Sequence, residues 1–200
     1  MILRSELKQN AKNQLKNNWR LAIGIIIVCT LISWIPNILY GTDNKSFAMS
    51  IIIPIITLAI TGPLTIGQCK FFINLANKSN PEFSDLWYGF NNILKAIGIT
   101  LLVGIIVFIG TILLIIPGII LAFRYSQVYY IMAENPEISV IDCLKESARI
   151  MKGHKMNLFI LQLSFIGWII LMGITCGIAG LYVLPYYNAT LSNFYLEIKE

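Results

Sequence analysis

The chain divides into long apolar runs and short segments that carry all of its charged residues. Four runs contain no Asp, Glu, Lys, Arg or His; they cover residues 21–42, 46–69, 96–123 and 156–196, with lengths of 22, 24, 28 and 41 residues. A helix needs about 20 predominantly apolar residues to cross the roughly 30 Å hydrocarbon core of a bilayer. The runs lack the alternation of polar and apolar residues that is typical of transmembrane β-strands. The pattern therefore predicts an all-α, polytopic membrane helical bundle.

The first run indicates a membrane anchor rather than a cleaved leader. Its apolar part is longer than the roughly 7–15 apolar residues of a signal peptide, and no small-residue cleavage site follows it. We therefore expect a signal anchor that stays in the chain.

The segment before the first run carries two parallel ridges at four-residue spacing. The apolar ridge is Leu3, Leu7, Ala11, Leu15 and Trp19, and the basic ridge beside it is Arg4, Lys8, Lys12, Lys16 and Arg20. Such a helix is typical of the lipid interface, where its basic side chains extend towards anionic headgroups. A nucleic-acid-binding tail is less favoured, because the segment runs straight into a membrane span and offers a single aromatic residue. The expected partner is the lipid bilayer, including anionic headgroups, and no nucleic acid.

Two later segments repeat this design. The identity Asn-Pro-Glu-x-Ser begins at Asn80 and again at Asn135, an offset of 55 residues. Asn is a favoured N-cap, and Pro and Glu suit the first turn, so an amphipathic helix is expected after each. The second of these helices brings four basic residues to the interface: Lys145, Arg149, Lys152 and Lys155. The sequence thus predicts one integral membrane domain, 1–200, with internal repeat units 1–79, 80–134 and 135–200.

The number of passes depends on residues 96–123. A single span ending at Arg124 would leave six of the 15 basic residues outside, against the tendency of basic residues to stay cytoplasmic. A tight turn at Pro117-Gly118 with a return through 119–133 places 13 of them in the cytoplasm. We therefore expect about six transmembrane helices in three helical hairpins, each preceded by an interfacial amphipathic helix. Both termini are then cytoplasmic at the cell membrane, and full spanning by the short stretch 119–133 is left open.

The second helix of each predicted hairpin carries polar residues at helical spacing. They are Thr61, Thr65 and Gln68 in the first, Arg124 and Gln127 in the second, and Asn188, Ser192 and Tyr195 in the third. One interpretation is that these groups hydrogen-bond between helices and hold the bundle together. The other is that the three second helices surround a polar cavity. A guanidinium fork suits phosphate or carboxylate, so Arg124 would anchor an anionic lipid headgroup there.

The sequence offers no recognisable catalytic or metal-binding pattern. It contains no H-E-x-x-H, G-x-S-x-G or Walker loop, and its single histidine, His154, lies in a basic segment. Its four cysteines are too widely spaced for a zinc motif or an obvious disulfide framework. We therefore expect no enzymatic activity, no metal and no cofactor.

Motifs spread over almost the whole chain carry a resemblance to a known family. They include SELK from Ser5, NW from Asn18, PGI from Pro117, YIMAENP from Tyr130, MKGHK from Met151 and TCGIAG from Thr175. Through them the chain resembles small uncharacterised polytopic integral membrane proteins of Gram-positive bacteria, a domain of unknown function. It resembles more distantly the membrane portion of bacterial glycerophosphodiester phosphodiesterases. The resemblance implies location and fold, and it supplies no catalytic residues.

Two classes of function remain open on the sequence. The first is a transporter-like or lipid-handling protein with a polar intramembrane site for an anionic headgroup or solute. The second is a non-transporting interaction protein of the accessory, regulatory or bacteriocin-immunity type, which binds a membrane protein partner through its basic cytoplasmic face.

Overall fold

The computed structural model describes residues 4–40 and 47–199. Its α-helices are α1 (Arg4–Leu15), α2 (Trp19–Tyr40), α3 (Phe47–Ala76), α4 (Ile93–Leu113), α5 (Ile115–Arg124), α6 (Val128–Glu134), α7 (Val140–Ile150), α8 (Lys155–Leu163), α9 (Ile166–Ile174) and α10 (Gly180–Lys199). A 3₁₀ helix, Phe83–Asn92, leads into α4. These residues contain no β-strand. The all-α prediction is confirmed.

Five helical segments of the described residues are long and apolar enough to cross a membrane. They are Trp19–Pro36, Phe47–Ala76, Phe83–Leu113, Ile115–Glu134 and Lys155–Ile174. The chain therefore has the composition of a multi-pass membrane protein. The sixth predicted pass forms α10, which is 20 residues long but is not among the five. Several polar residues interrupt its apolar sequence, among them Asn188, Ser192 and Asn193.

Helix α3 is the centre of the packing. It contacts α1, α2, α4, α6, α10 and the 3₁₀ helix, and it continues through Pro54 and Pro63 without a break. The 3₁₀ helix lies so close to α3 that the two backbones touch. A Cβ at Gly67 would overlap the Leu86 carbonyl oxygen, and a Cβ at Gly89 would overlap the Pro63 carbonyl oxygen. The lack of a Cβ at these two glycines therefore allows α3 and the 3₁₀ helix to approach this closely.

The chain reverses direction at Leu114, whose extended backbone separates α4 from α5. Gly118 packs against Thr111, and Gly110 packs against Leu121, so α4 and α5 run antiparallel in close contact. The predicted turn at Pro117-Gly118 is wrong, because both residues lie inside the start of α5. Proline is tolerated there since N–H groups of the first helical turn have no intrahelical acceptor.

The two Asn-Pro segments begin their helices later than predicted. The first helical residues are Phe83 and Val140, so Asn80 and Asn135 are not the caps. Glu82 and Asp85 form a capping box at the 3₁₀ helix. At α7 the Ser139 hydroxyl accepts a hydrogen bond from the Asp142 N–H at 3.1 Å. Side chains closer to the helices thus satisfy the free N–H groups that the Asn residues were expected to cap.

The apolar ridge of α1 packs inside the protein. Leu7, Ala11 and Leu15 are buried in a helix that contacts α10 and α3, and Trp19 stacks on Tyr182 with ring centroids 4.8 Å apart. The structure therefore differs from the prediction that this ridge lies in lipid, because the bundle itself covers it. Leu3 lies outside the described residues.

The contact between α3 and the 3₁₀ helix predicts a sharp difference between two glycine substitutions. Gly67→Ala forces a Cβ into the Leu86 backbone, so we expect a loss of about 1–3 kcal/mol in the free energy of unfolding. Gly104→Ala is the matched control, since its Cβ would meet nothing within 4 Å and Ala is about 0.5–1 kcal/mol better in a helix. Unfolding of the purified protein in detergent measures both. Equal stability of the two variants would contradict the proposed contact.

Candidate functional site

The structure separates the seven candidate site residues among the predicted intramembrane polar residues into four places. Gln68 and Asn188 line one groove, which lies between α2, α3 and α10. Gln127 and Ser192 are buried. Thr61 and Thr65 lie half-buried on α3, and Arg124 is exposed at the end of α5. We call the first place the α2–α3–α10 groove.

The α2–α3–α10 groove has a volume of about 460 Å³. Its wall combines apolar, hydroxyl, thiol and carboxamide side chains: Ile26, Cys29, Thr30, Ser33, Trp34, Gln68, Leu184, Tyr187 and Asn188. Trp34 is 64% exposed at this position. The groove therefore offers a polar wall inside a largely apolar surface.

The groove holds unused hydrogen-bonding capacity. Gln68 makes no hydrogen bond with the part of the chain that the structure describes, and Asn188 Nδ2 donates to the Leu184 carbonyl oxygen at 2.9 Å. The Thr30 and Ser33 hydroxyls donate to carbonyl oxygens one helical turn earlier, Ile26 and Cys29, at 2.7 Å each. Each carboxamide has both a donor and an acceptor group. The groove is thus suited to a neutral polar group that accepts from Gln68.

Gln127 and Ser192 lie in the packed interior. Gln127 Nε2 donates to Ser126 Oγ at 2.8 Å, whereas Gln127 Oε1 has no hydrogen-bond partner within the described residues. Ser192 is fully buried on α10, near the Tyr130 hydroxyl of α6, and its Oγ has no hydrogen-bond partner within the described residues. Neither side chain makes a hydrogen bond between helices in the part of the chain that the structure describes, so a role in joining helices stays a prediction.

Thr61 and Thr65 precede Gln68 on α3 by two turns and one turn, and neither is among the residues that line the groove. The Thr65 hydroxyl donates to the Thr61 carbonyl oxygen at 2.7 Å. Thr61 lines a separate shallow cavity of about 380 Å³ with Pro54 and Thr57. Neither threonine therefore contributes to the groove wall.

Arg124 does not line the α2–α3–α10 groove. Its guanidinium carbon lies 5.7 Å from the centre of the Tyr125 ring, and its carbonyl oxygen accepts a hydrogen bond from Ser147 Oγ at 2.9 Å. The Arg124 backbone thus holds α7 against α5, while its side chain is exposed.

Most of the predicted lipid-contacting basic residues remain accessible. Arg4, Lys12, Lys16, Arg20, Lys145, Arg149 and Lys152 are exposed, and Lys8 and Lys155 are half-buried. Asp142 and Glu146 form ion pairs with Lys145 and Arg149 along α7. Lys8 is engaged with the protein: its Nζ donates to the Ser164 carbonyl oxygen at 3.1 Å and lies 4.4 Å from the Phe165 ring centre. Burial, followed by the charges of Arg4 and Lys12, lowers the pKa of Lys8.

A polar cluster joins α6 to α10; the sequence pattern singles out Tyr195 but not its pairing with Glu134 and Lys199. Glu134 accepts hydrogen bonds from the Tyr195 hydroxyl at 2.7 Å and from Lys199 Nζ at 2.6 Å, and the Tyr130 and Tyr195 rings stack. The available signal was an acidic residue at the end of one apolar run and a lysine at the end of another. Nothing local in the sequence pairs residues 65 positions apart.

The helical architecture and its apolar segments define a class before any relative is considered: an all-helical protein with several helices that are able to span a membrane. A family model described as "Protein of unknown function (DUF975)" matches residues 1–117 and 106–200. The chain belongs to this family, so the expected resemblance to a domain of unknown function is confirmed. No curated protein and no solved structure matches the chain.

The Glu134 cluster predicts different effects for two glutamate substitutions. Glu134→Gln removes a charged acceptor shared by Tyr195 and Lys199, and we expect it to lower the free energy of unfolding by about 1–3 kcal/mol. Glu146→Gln removes an exposed ion pair with Arg149, which is worth at most about 1 kcal/mol. Denaturant unfolding in detergent compares the two. A loss for Glu134→Gln that is no larger than the loss for Glu146→Gln would contradict the expected contribution of the cluster.

Proposed function

We propose that this protein is a multi-pass integral membrane protein that binds the polar part of a lipid in the α2–α3–α10 groove. The observation that carries the proposal is the pair Gln68 and Asn188, which share an open groove on helices that are otherwise largely apolar. The function is lipid handling or lipid transport, without enzymatic chemistry and without a cofactor.

The energetic argument concerns Gln68. An amide group in hydrocarbon without a hydrogen-bond partner costs several kcal/mol. Gln68 has no such partner within the described residues, and the groove beside it has room for about 460 Å³ of ligand. A lipid that places an ester or hydroxyl oxygen near Gln68 Nε2 would remove this cost, while its acyl chain covers Trp34 and Leu184.

The charge of the groove lining limits the class of ligand that the groove can bind. The described residues that line it include no cationic side chain, so this site favours an uncharged polar group. An anionic headgroup, the ligand proposed for Arg124, would instead bind where basic side chains are exposed. In that case the groove and the basic surface bind either two parts of one lipid or two different ligands.

The alternative function is an interaction protein. In that case the groove receives a helix of a membrane protein partner, with Trp34 and Gln68 in the contact. The 64% exposure of Trp34 favours an occupant of some kind at this position, since aromatic residues are prominent in interfaces.

We also propose six passes, with cytoplasmic termini, as the orientation at the cell membrane. The distribution of 13 of the 15 basic residues on one side supports it, as does the reversal between α4 and α5 at Leu114. Helix α10 is then the sixth pass, made polar by the residues that it presents to the groove and to α6. The Gram-positive origin and the relation to phosphodiesterase membrane portions are proposed on resemblance alone.

The groove predicts which substitutions change bound lipid. Gln68→Leu and Asn188→Leu are expected to lower the phospholipid that co-purifies with the protein by at least about half, because the polar contacts are lost. Thr65→Val, on the same helix but not among the groove-lining residues, and Arg124→Leu are expected to leave the amount of phospholipid unchanged. Quantitative lipid mass spectrometry measures the ratio of phospholipid to protein. If only Arg124→Leu lowers the amount of phospholipid, the lipid binds at the arginine and not in the groove.

The orientation predicts a labelling pattern that uses a native cysteine. Cys176 is exposed in the connection between α9 and α10, whereas Cys69 and Cys143 are buried and Cys29 is half-buried. With those three replaced by Ala, a membrane-impermeant maleimide applied to intact cells should label Cys176 and cysteines placed at 41–46. Cysteines placed at 8, 78 and 152 should be protected. Protection of Cys176 with labelling at 152 would establish the single-span arrangement of 96–123.

A further inference from the structure

A second polar cavity lies at the corner between α1 and α2. It has a volume of about 460 Å³ and is lined on one side by five carboxamides: Asn10, Asn13, Gln14, Asn17 and Asn18. Lys78 and Asn80 line the other side. We call this cavity the amide pocket. It shares no lining residue with the α2–α3–α10 groove.

The amide pocket lies at the ends of two candidate membrane spans. Asn17 and Asn18 come just before the span that begins at Trp19, and Lys78 follows the span that ends at Ala76. Side chains at such positions meet the headgroup layer of the bilayer. A ligand in this pocket is therefore within reach of both lipid headgroups and water.

One wall of the amide pocket is held in place by hydrogen bonds to distant helices. Gln14 Nε2 donates to Asn193 Oδ1 at 3.0 Å and to the Ala76 carbonyl oxygen at 3.2 Å, and Asn193 Nδ2 donates back to Gln14 Oε1 at 2.7 Å. Asn18 Nδ2 donates to the Gln14 carbonyl oxygen at 3.3 Å. Fixing these carboxamides before a ligand arrives lowers the entropy cost of binding.

Lys78 occupies a backbone position that normally belongs to glycine. The Ser79 N–H donates to the Asn74 carbonyl oxygen and the Lys78 N–H to that of Leu75, which is the hydrogen-bond pattern of a Schellman C-cap. Lys78 is the left-handed residue of this cap, with φ of 57°, where glycine is preferred because it has no Cβ. A lysine at this position is unfavourable for the cap itself. What it adds is an exposed cationic residue among those that line the amide pocket.

We propose that the amide pocket binds a phosphorylated polyol, either as a lipid headgroup or as a free sugar phosphate. Carboxamides both donate and accept, which matches the paired donor and acceptor character of hydroxyl groups. The ammonium of Lys78 supplies the charge for the phosphate. This binding is independent of the lipid contact proposed for the groove.

The experiment is isothermal titration calorimetry on the full-length protein in detergent. The probes are short-chain phosphatidylinositol, short-chain phosphatidic acid and free inositol 1-phosphate. Phosphatidylinositol is expected to bind at least about 10-fold tighter than phosphatidic acid, which carries the phosphate without the polyol. Inositol phosphate that binds as tightly as phosphatidylinositol identifies a soluble ligand, and weaker binding identifies the lipid; both support a polyol phosphate site. Equal binding of the two lipids overturns it.

The Lys78 variants distinguish a ligand from a structural role. Lys78→Gln is expected to weaken the binding of all three probes at least about 10-fold. Lys152→Gln, at another exposed lysine, is expected to leave their binding unchanged. Asn17→Ala should reduce the preference for phosphatidylinositol over phosphatidic acid. Lys78→Gly should raise the midpoint of thermal unfolding by about 2–4 °C and still lose binding. The site would be refuted if Lys78→Gly bound the probes as tightly as the unaltered protein does, or if Lys152→Gln lost as much affinity as Lys78→Gln.

Discussion

The backbone contact between α3 and the 3₁₀ helix is the constraint on which the rest of the structure depends. It exists because Gly67 and Gly89 have no Cβ at the points where the Leu86 and Pro63 carbonyl oxygens approach. Once this contact is made, α3 cannot rotate about its axis without a clash. Gln68 follows Gly67 directly, about 100° further around the helix, so the same contact helps to place Gln68 on the face of α3 that meets α2 and α10. The packing of Gly67 and Gly89 between α3 and the 3₁₀ helix therefore positions one wall of the α2–α3–α10 groove.

Helix α10 has the complementary role. It supplies Asn188 to the groove, Asn193 to the wall of the amide pocket and Lys199 to the Glu134 cluster. Each of these residues makes α10 less apolar than the other candidate spans, and each has a hydrogen bond within the protein. The polar character of α10 thus explains both why it falls outside the five apolar segments and why the bundle closes around it. In hydrocarbon such groups stabilise a bundle only when their partners are supplied.

Local sequence features predicted the helices and their apolar character, because run length and hydropathy need no knowledge of the fold. They also marked Gln68 and Asn188, with five other polar residues, as candidates for an intramembrane site; the structure places these two in one groove, and their role stays a prediction. They failed where the answer depends on tertiary packing. The ridge of α1 has the same pattern whether lipid or α10 covers it, and the reversal occurs at Leu114, three residues before the Pro117-Gly118 pair from which it was predicted. The pairing of Gln14 with Asn193 joins residues 179 positions apart, which no periodicity reveals.

The most direct test of the central claim is an experimental structure of the protein in lipid nanodiscs at a resolution that shows individual lipids. The account predicts an elongated lipid density in the α2–α3–α10 groove, with an oxygen atom within about 3.5 Å of Gln68 Nε2 and an acyl chain along Trp34. A groove closed by movement of α2 towards α10, with Gln68 hydrogen-bonded to Asn188 and no density between them, would contradict it.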